Sequence, residues 1–311
     1  MAGFGRKGEA KMNAVIRTEG LTKYYGKTLG VADLDLQVEK GEIFGYLGPN
    51  GAGKTTTIRT LLDFIHPTKG KATIFGLDTR KDSVRIKRRI GYLPGELELY
   101  KKLSGSELLL HFASLRGGVD WRNVEQLAER LDFDMSKPVR SLSSGNKHKL
   151  GLIQAFMHKP DLLILDEPTT GLDPLMQQEF YRIMLEAKEA GQTVFLSSHI
   201  LPEVERVCDR VGFIRHGRLI DIEDVSDLHE HAFRQIEIHF AKPVPKEEFQ
   251  NLSGVRDVIA EDSVLRCTVA GSLDAVIKTA AKFEVVNVIS HEPNLEDIFL
   301  AYYGGDNNAA A

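Results

Sequence analysis

The chain has 311 residues, 42% of them hydrophobic and 27% charged, which fits about two folded domains and excludes a disordered, collagenous or disulfide-stapled protein. Forty basic against forty-four acidic side chains leave a formal net charge of -4, so no excess of basic charge argues for nucleic-acid binding. Cys208 and Cys267 lie far apart and match no metal-ligand spacing, and no apolar run is long enough to span a bilayer as a helix.

Residues 1–13 are short, mixed and polar, and read as a flexible extension without the apolar stretch of a secretory signal. From Val15 to Gly217, short apolar runs alternate with longer helical patterns, the rhythm of a parallel sheet flanked by helices. Strands are predicted at Glu42 to Leu47, Lys71 to Phe75, Ile90 to Leu93, Leu162 to Leu165, Thr193 to Leu196 and Val211 to Ile214. The run LLIL is apolar without alternation, as a central parallel strand covered on both faces should be. Helices are predicted at Thr55 to Ile65, Gly105 to Leu115, Trp121 to Leu131, Ser144 to His158 and Pro174 to Ala190. The last of these has Asp173 as its cap and Pro174 at its first position. Two successive helices around 105–131 interrupt the alternation and mark a helical insertion, over about 97–158 in an α/β domain spanning 14–224. Beyond Asp224 the pattern becomes that of half-exposed strands at Arg234 to Phe240, Val255 to Ile259 and Val264 to Val269, with one helix from Leu273 to Lys282. This predicts a small α+β domain over 225–304 and a flexible tail over 305–311.

Three motifs carry chemistry. Gly48, Pro49, Asn50, Gly51, Ala52, Gly53, Lys54 and Thr55 fit G-x-x-x-x-G-K-[ST] and sit between a strand and a helix. Glycines there let backbone N–H groups turn inward onto phosphate oxygens at a helix N-terminus, Lys54 adds a point charge, and Thr55 offers a hydroxyl to Mg²⁺. Asp166 and Glu167 follow LLIL at the C-terminal end of its strand, where ligands of open α/β sheets lie. An Asp at this place can hold Mg²⁺ while the next Glu orients and deprotonates a water. His199 closes TVFLSSH at the end of a further strand, placed to hydrogen-bond a phosphate and steady the water and its base.

With these in place the chain resembles the ATP-binding cassette ATPases that power ABC transporters, over about Val15 to Asp221. LSSGN at Leu142 to Asn146 is similar to the family signature LSGGQ, TTGLD at Thr169 to Asp173 to the loop after the catalytic carboxylate, and Tyr25 to the aromatic that stacks on adenine. The resemblance implies a P-loop NTPase fold with a helical subdomain, ATP as substrate and Mg²⁺ as cofactor. It implies catalytic roles for Lys54, Glu167 and His199, metal ligation by Thr55 and Asp166, and nucleotide contacts from the P-loop, Thr56 and Tyr25. Asp173 is a further nucleotide contact, and the signature segment with Ser143, Ser144 and Gly145 then caps the γ-phosphate held by the P-loop of a second copy, so a dimer is implied.

Departures from the family pattern are equally legible. Ser144 and Asn146 stand where the signature has Gly and Gln, and Gly95 stands where a glutamine usually follows the strand ending GYLP. Glu96, beside it, is a candidate metal ligand in its stead; the plainer alternative is a loop carboxylate. Tyr24 competes with Tyr25 for the adenine face, and the run Arg85, Lys87, Arg88, Arg89 fits a solvated helix face better than a nucleic-acid patch. The ending EPNLEDIFLAYYG, Glu292 to Gly304, resembles ATPase subunits that serve ABC-2 type export permeases. The function so implied is an ATP-hydrolysing homodimeric subunit of an exporter, bound to integral-membrane permease subunits at the cytoplasmic face of the cell membrane. Two alternatives compete with it: a soluble ABC ATPase acting on ribosomes or DNA, and a weakly hydrolysing nucleotide-dependent regulator. The single cassette, and the lack of room for a long coiled coil between Lys54 and Leu142, count against the ribosome- or DNA-acting class.

Overall fold

A computed structural model describes residues 14–227 and 233–291. The chain divides into two compact units, Met1–Glu223 and Asp224–Ala311. The ending over 292–304, read above as exporter-like, lies outside the described residues.

The first unit is built on two sheets. β1 (Ala14–Tyr25), β2 (Thr28–Leu34), β3 (Gln37–Glu39), β5 (Lys69–Ile74) and β6 (Leu77–Asp78) form an antiparallel sheet in the order β2-β1-β5-β6, with β3 also on β1. The second sheet runs β11-β10-β4-β9-β8-β7, using β4 (Ile43–Leu47), β7 (Ile90–Leu93), β8 (Leu162–Asp166), β9 (Thr193–Ser198), β10 (Arg210–Arg215) and β11 (Arg218–Asp224). Its pairs from β10 to β7 are all parallel. Strand β5 therefore departs from expectation. It joins the antiparallel sheet, and the physical sign was available in its exposed lysines, since a strand buried on both faces would not carry Lys69 and Lys71.

Helix α1 (Lys54–Leu61) packs on β8 on one side and on β2 and β5 on the other. Its Ile58 and Leu61 meet Ile16 and Ile74 of the antiparallel sheet and Phe44, Ile164 and Phe195 of the parallel one in a single core. The Phe44 and Phe195 rings stack with centroids 5.9 Å apart and planes 5° from parallel. Helix α2 (Ser83–Lys87) carries the basic run at the surface, where Arg89 pairs with Asp161 at 2.6 Å and Lys87 lies over the Phe64 ring.

The helical insertion holds α3 (Gly105–Leu115), α4 (Trp121–Arg130) and α5 (Ser144–Phe156). A capping box starts α3: the Ser104 hydroxyl accepts from the Glu107 N–H at 3.3 Å while the Glu107 carboxylate accepts from the Ser104 N–H at 2.7 Å. At the end of α4, Arg130 donates to Glu179 at 2.6 Å and in a fork to Glu186 at 2.5 and 2.8 Å, both on α6 (Pro174–Glu189). A short α7 (Leu201–Val207) follows β9 and was not expected, because its seven residues carry too little periodicity to register.

The second unit is a four-stranded antiparallel sheet in the order β13-β14-β12-β15, made of β12 (Phe233–Phe240), β13 (Val255–Glu261), β14 (Val264–Ala270) and β15 (Val285–His291). With α8 (Glu247–Gln250) and α9 (Asp274–Ala280), it closes on its own core of Ile236, Ile238, Leu265, Phe249 and Val276. Strand β15 and helix α8 were not among the expected elements.

Leu163 is fully buried in the middle of β8, between β7 and β9. Truncation there removes transfer free energy and leaves a cavity, so Leu163→Ala should lower the unfolding free energy by about 3 kcal/mol in urea denaturation.

Candidate functional site

The site forms where β4, β8 and β9 end. Parallel pairing sets Leu47 against Ser198 and Ser197 against Asp166, so the loop after β4, the carboxylates after β8 and the histidine after β9 emerge side by side. The loop must then turn into α1 in very little space. A Cβ on Gly48 would stand 2.2 Å from the Ile214 carbonyl oxygen, and Gly53 caps α1 at φ 112° with the Gly30 carbonyl 2.7 Å from any Cβ. Only glycine meets both demands.

Lys54, 5% exposed, lies at the centre of this turn. Its ammonium donates to the carbonyls of Gly48 at 2.6 Å and Pro49 at 3.2 Å, and stands 3.1 Å from Glu167 Oε1. Thr55 and Asp166 are brought together as well: Thr55 Oγ1 donates to Asp166 Oδ2 at 2.9 Å. The other Asp166 oxygen accepts from Ser197 Oγ at 2.5 Å, which fixes the carboxylate at both ends. A hydroxyl and a carboxylate in contact at a helix start are a hard-oxygen set suited to Mg²⁺, which keeps several waters and takes its remaining ligands from substrate phosphates.

Glu167 adopts φ 53°, a left-handed conformation that non-glycine residues hold only when their surroundings impose it. Its backbone N–H is taken by Ser197, with carbonyl and hydroxyl oxygens both at 3.2 Å. Its Oε2 accepts from His199 Nδ1–H at 2.6 Å. The histidine is 43% exposed and the carboxylate 20%, so the pair opens to solvent on the side where a ligand would lie.

Tyr25 is distinguished from Tyr24 by its neighbours. Both are about half exposed, yet the Tyr25 ring lies 3.0 Å from where a Gly30 Cβ would stand, at the same spot reached by the Thr56 side chain. Tyr25 thus borders the first turn of α1, with Lys23 over its ring at 5.3 Å. Gly95 lies close to Asp166, whose Oδ2 would be 3.5 Å from a Cβ added there. Glu96 is exposed, and no cluster of three His, Cys, Asp or Glu side chains able to hold a metal occurs among the described residues. The structure therefore does not gather Glu96 with Asp166 and Glu167.

Within one chain the signature segment is a helix start. Ser143 caps α5 by accepting from the Asn146 N–H at 3.3 Å, with Ser144 and Gly145 in the first turn. Gly145 packs against the Gly171 carbonyl, 2.6 Å from a would-be Cβ. Asp173 caps α6 through the N–H groups of Leu175 at 3.1 Å and Met176 at 3.0 Å, while remaining exposed.

Several residues that hold the site together were not singled out from the sequence. Ser197 braces Asp166 and Glu167, and buried His148 donates from Nε2 to the Pro168 carbonyl at 2.6 Å, tying α5 to the loop after Glu167. Burial lowers the His148 pKa, which favours the neutral ring. Thr169, Ser198 and Glu203 form a further buried set. Ser197, Ser198 and Thr169 sit inside these motifs, but their partners lie on other segments, a neighbouring strand for Ser197 and helix α7 for the other two, and leave no mark on spacing. Glu203 has no motif around it at all.

The family model described as ABC transporter matches residues 31–170. Among curated relatives, the bacitracin transport ATP-binding protein BcrA of Bacillus licheniformis is 36% identical, over 94% of this chain and 99% of its own. Its namesake in Enterococcus faecalis is 34% identical over 94% and 98%, and the linearmycin resistance ATP-binding protein LnrL of Bacillus subtilis 32% identical over 93% and 98%. Among solved structures, an ATP-binding subunit of an ABC transporter superposes with a TM-score of 0.64 at 29% identity, over 69% of this chain and 92% of that one. A dimeric bacterial ABC transporter cassette shares the fold, with a TM-score of 0.61 at 20% identity over 68% and 98%. Given relatives above 30% identity along nearly the whole of both chains, and a P-loop, paired carboxylates and histidine converging at one strand edge, this chain belongs to the ATP-hydrolysing, ATP-binding proteins of ABC transporters.

Proposed function

We propose that two copies of this chain form the ATP-driven motor of an ABC-2 type exporter, each copy completing the ATP site of the other. The observation that carries the catalytic half is the contact between Glu167 and His199 beside the P-loop lysine. A triphosphate entering the P-loop offers the Lys54 ammonium better partners than two carbonyls and a carboxylate. Lys54 then moves its charge onto the phosphates and leaves Glu167 Oε1 free. His199 keeps its Nδ1–H on Oε2 and holds the carboxylate plane, so Oε1 takes a proton from an attacking water.

Thr55 and Asp166 would hold Mg²⁺, which neutralises phosphate charge as the leaving group departs. Tyr25 stacks on the adenine, and the backbone of Gly48 to Thr56 receives the phosphates. The exposed start of α5 at Ser143, Ser144 and Gly145 is a helix N-terminus with anion-binding character, presented to the triphosphate of the partner copy. Asp173 already satisfies its own helix and acts there by holding the loop's shape. ATP favours the closed pair of copies over the open one, and hydrolysis removes that preference.

The transport half rests on the relatives, whose names assign them to bacitracin transport and linearmycin resistance. No helix among the described residues is long and apolar enough to cross a membrane, so the path for cargo belongs to separate permease subunits. A groove of about 300 Å³, lined by Phe64, Tyr92, Leu97, Phe112, Arg116 and Gln154, opens next to Gly95 and suits the apolar face of a short helix from such a subunit. The motor is thereby held at the inner face of the membrane.

Glu167→Gln should retain ATP binding and lower steady-state turnover roughly a hundredfold or more, measured with purified protein and Mg²⁺; wild-type turnover would remove Glu167 from the role. Phe64, 53% exposed in the groove, can be changed without opening the core. Phe64→Glu should leave nucleotide binding intact and abolish copurification with the permease, and recovery of the complex at wild-type yield would rule the groove out.

A further inference from the structure

We infer that Glu203 is a positioning residue for hydrolysis, one that sets the Glu167–His199 pair through the hydroxyls of Thr169 and Ser198; the inference rests on the roles proposed above for that pair. Glu203 stands in the first turn of α7 and is 7% exposed, and Thr169 and Ser198 are buried with it at 6% and 1%. Its Oε1 accepts from Thr169 Oγ1 at 2.5 Å and its Oε2 from Ser198 Oγ at 2.9 Å.

The two hydroxyls come from different segments, a turn and a strand end, and each adjoins a working residue. Thr169 lies on the turn just after Glu167, and Ser198 immediately precedes His199. One carboxylate therefore bridges the two segments that must stay in register for the 2.6 Å contact between Glu167 Oε2 and His199 Nδ1. An ionised carboxylate can only accept, so it turns both hydroxyl hydrogens toward itself. That frees a lone pair on Ser198 Oγ, which accepts from the Ile200 N–H at 2.9 Å and bends the chain around His199.

Glu167 needs such a brace. At φ 53° its backbone does not hold itself: its N–H donates to Ser197 and its carbonyl accepts from the Thr170 N–H within the same turn. Thr169 pins the far side of the same turn. Burying a carboxylate is costly unless its oxygens are satisfied, so a position that merely filled space would be better served by an apolar residue. Displacement of a catalytic pair by a fraction of an ångström to an ångström costs rate without changing how substrate is held. Glu203 bonds to Thr169 and Ser198, while Lys54 bonds to Gly48, Pro49 and Glu167, so substrate binding should be spared.

The test is steady-state ATPase of the purified full chain at concentrations where the wild type turns over. Glu203→Ala should lower kcat roughly tenfold with KM for ATP within about twofold. Glu203→Gln should recover most of the rate, because its amide can accept from one hydroxyl and donate to the other. In a His199→Ala background, Glu203→Ala should cost less than about twofold, since the pair it positions is already broken. A wild-type kcat for Glu203→Ala, or the full loss repeated in the His199→Ala background, overturns the inference. Should Glu203→Ala fail to fold, the isosteric Thr169→Val removes one arm of the bridge and must show the same loss confined to kcat; its absence overturns the inference equally. If His199→Ala itself turns over like the wild type, the catalytic pair and Glu203's role fall together. If His199→Ala is impaired and Glu203→Ala is not, only the role of Glu203 falls.

Discussion

Three parallel strands end at one level: Leu47 of β4 stands beside Ser198 of β9, and Ser197 of β9 beside Asp166 of β8. Every chemical contact in the site descends from that register. The residues below it are apolar and fully buried, so the ladder is held by both faces at once. A slip of one position would carry Asp166 about 3.3 Å along the sheet and reverse the face its side chain presents. Thr55 would then lose its acceptor, and the serine after Leu196 would no longer brace the carboxylate. Because the core locks the register, the loops above it can be short, polar and strained.

Charge in the site is balanced locally rather than left to solvent. One ammonium, two adjacent carboxylates, a histidine and a set of hydroxyls lie within a few ångströms, and each charge has opposite charge or hydrogen bonds beside it. Such a network tolerates burial only when its members are satisfied. The lysine has two sets of partners to choose between, the carboxylate and carbonyls of its own chain or the phosphates of a substrate. In the proposed mechanism that choice links occupancy of the P-loop to the freedom of Glu167 through a single side chain.

Much of this architecture was legible in the sequence where a local pattern carried it. The P-loop glycines, the LLILDE strand end and the Asp173–Pro174 cap each have a physical reason that acts within a few residues, and the elements around them fall within a few positions of their expected ends. What escaped depends on contacts between distant segments. Strand β5 was expected among the parallel strands, and it pairs instead with β1, a segment not marked as a strand in the sequence. Ser197 as the brace of Asp166, His148 as the link to Pro168 and Glu203 as the bridge of Thr169 and Ser198 are all pairings across loops or strands. Periodicity contains no record of them. The difference between Tyr24 and Tyr25 is of the same kind: only the Tyr25 ring borders Gly30.

The fork from Arg130 to Glu179 and Glu186 gives helix α6 a mechanical meaning. Its two acceptors, seven residues apart, lie two turns apart on the same face, so the guanidinium grips the helix along its length rather than at a point. The start of that helix is Asp173, a few residues beyond Glu167 and Thr169. An α-helix is stiff along its axis, so α6 ties the insertion, by way of α4, to the loop that carries Glu167 and Thr169.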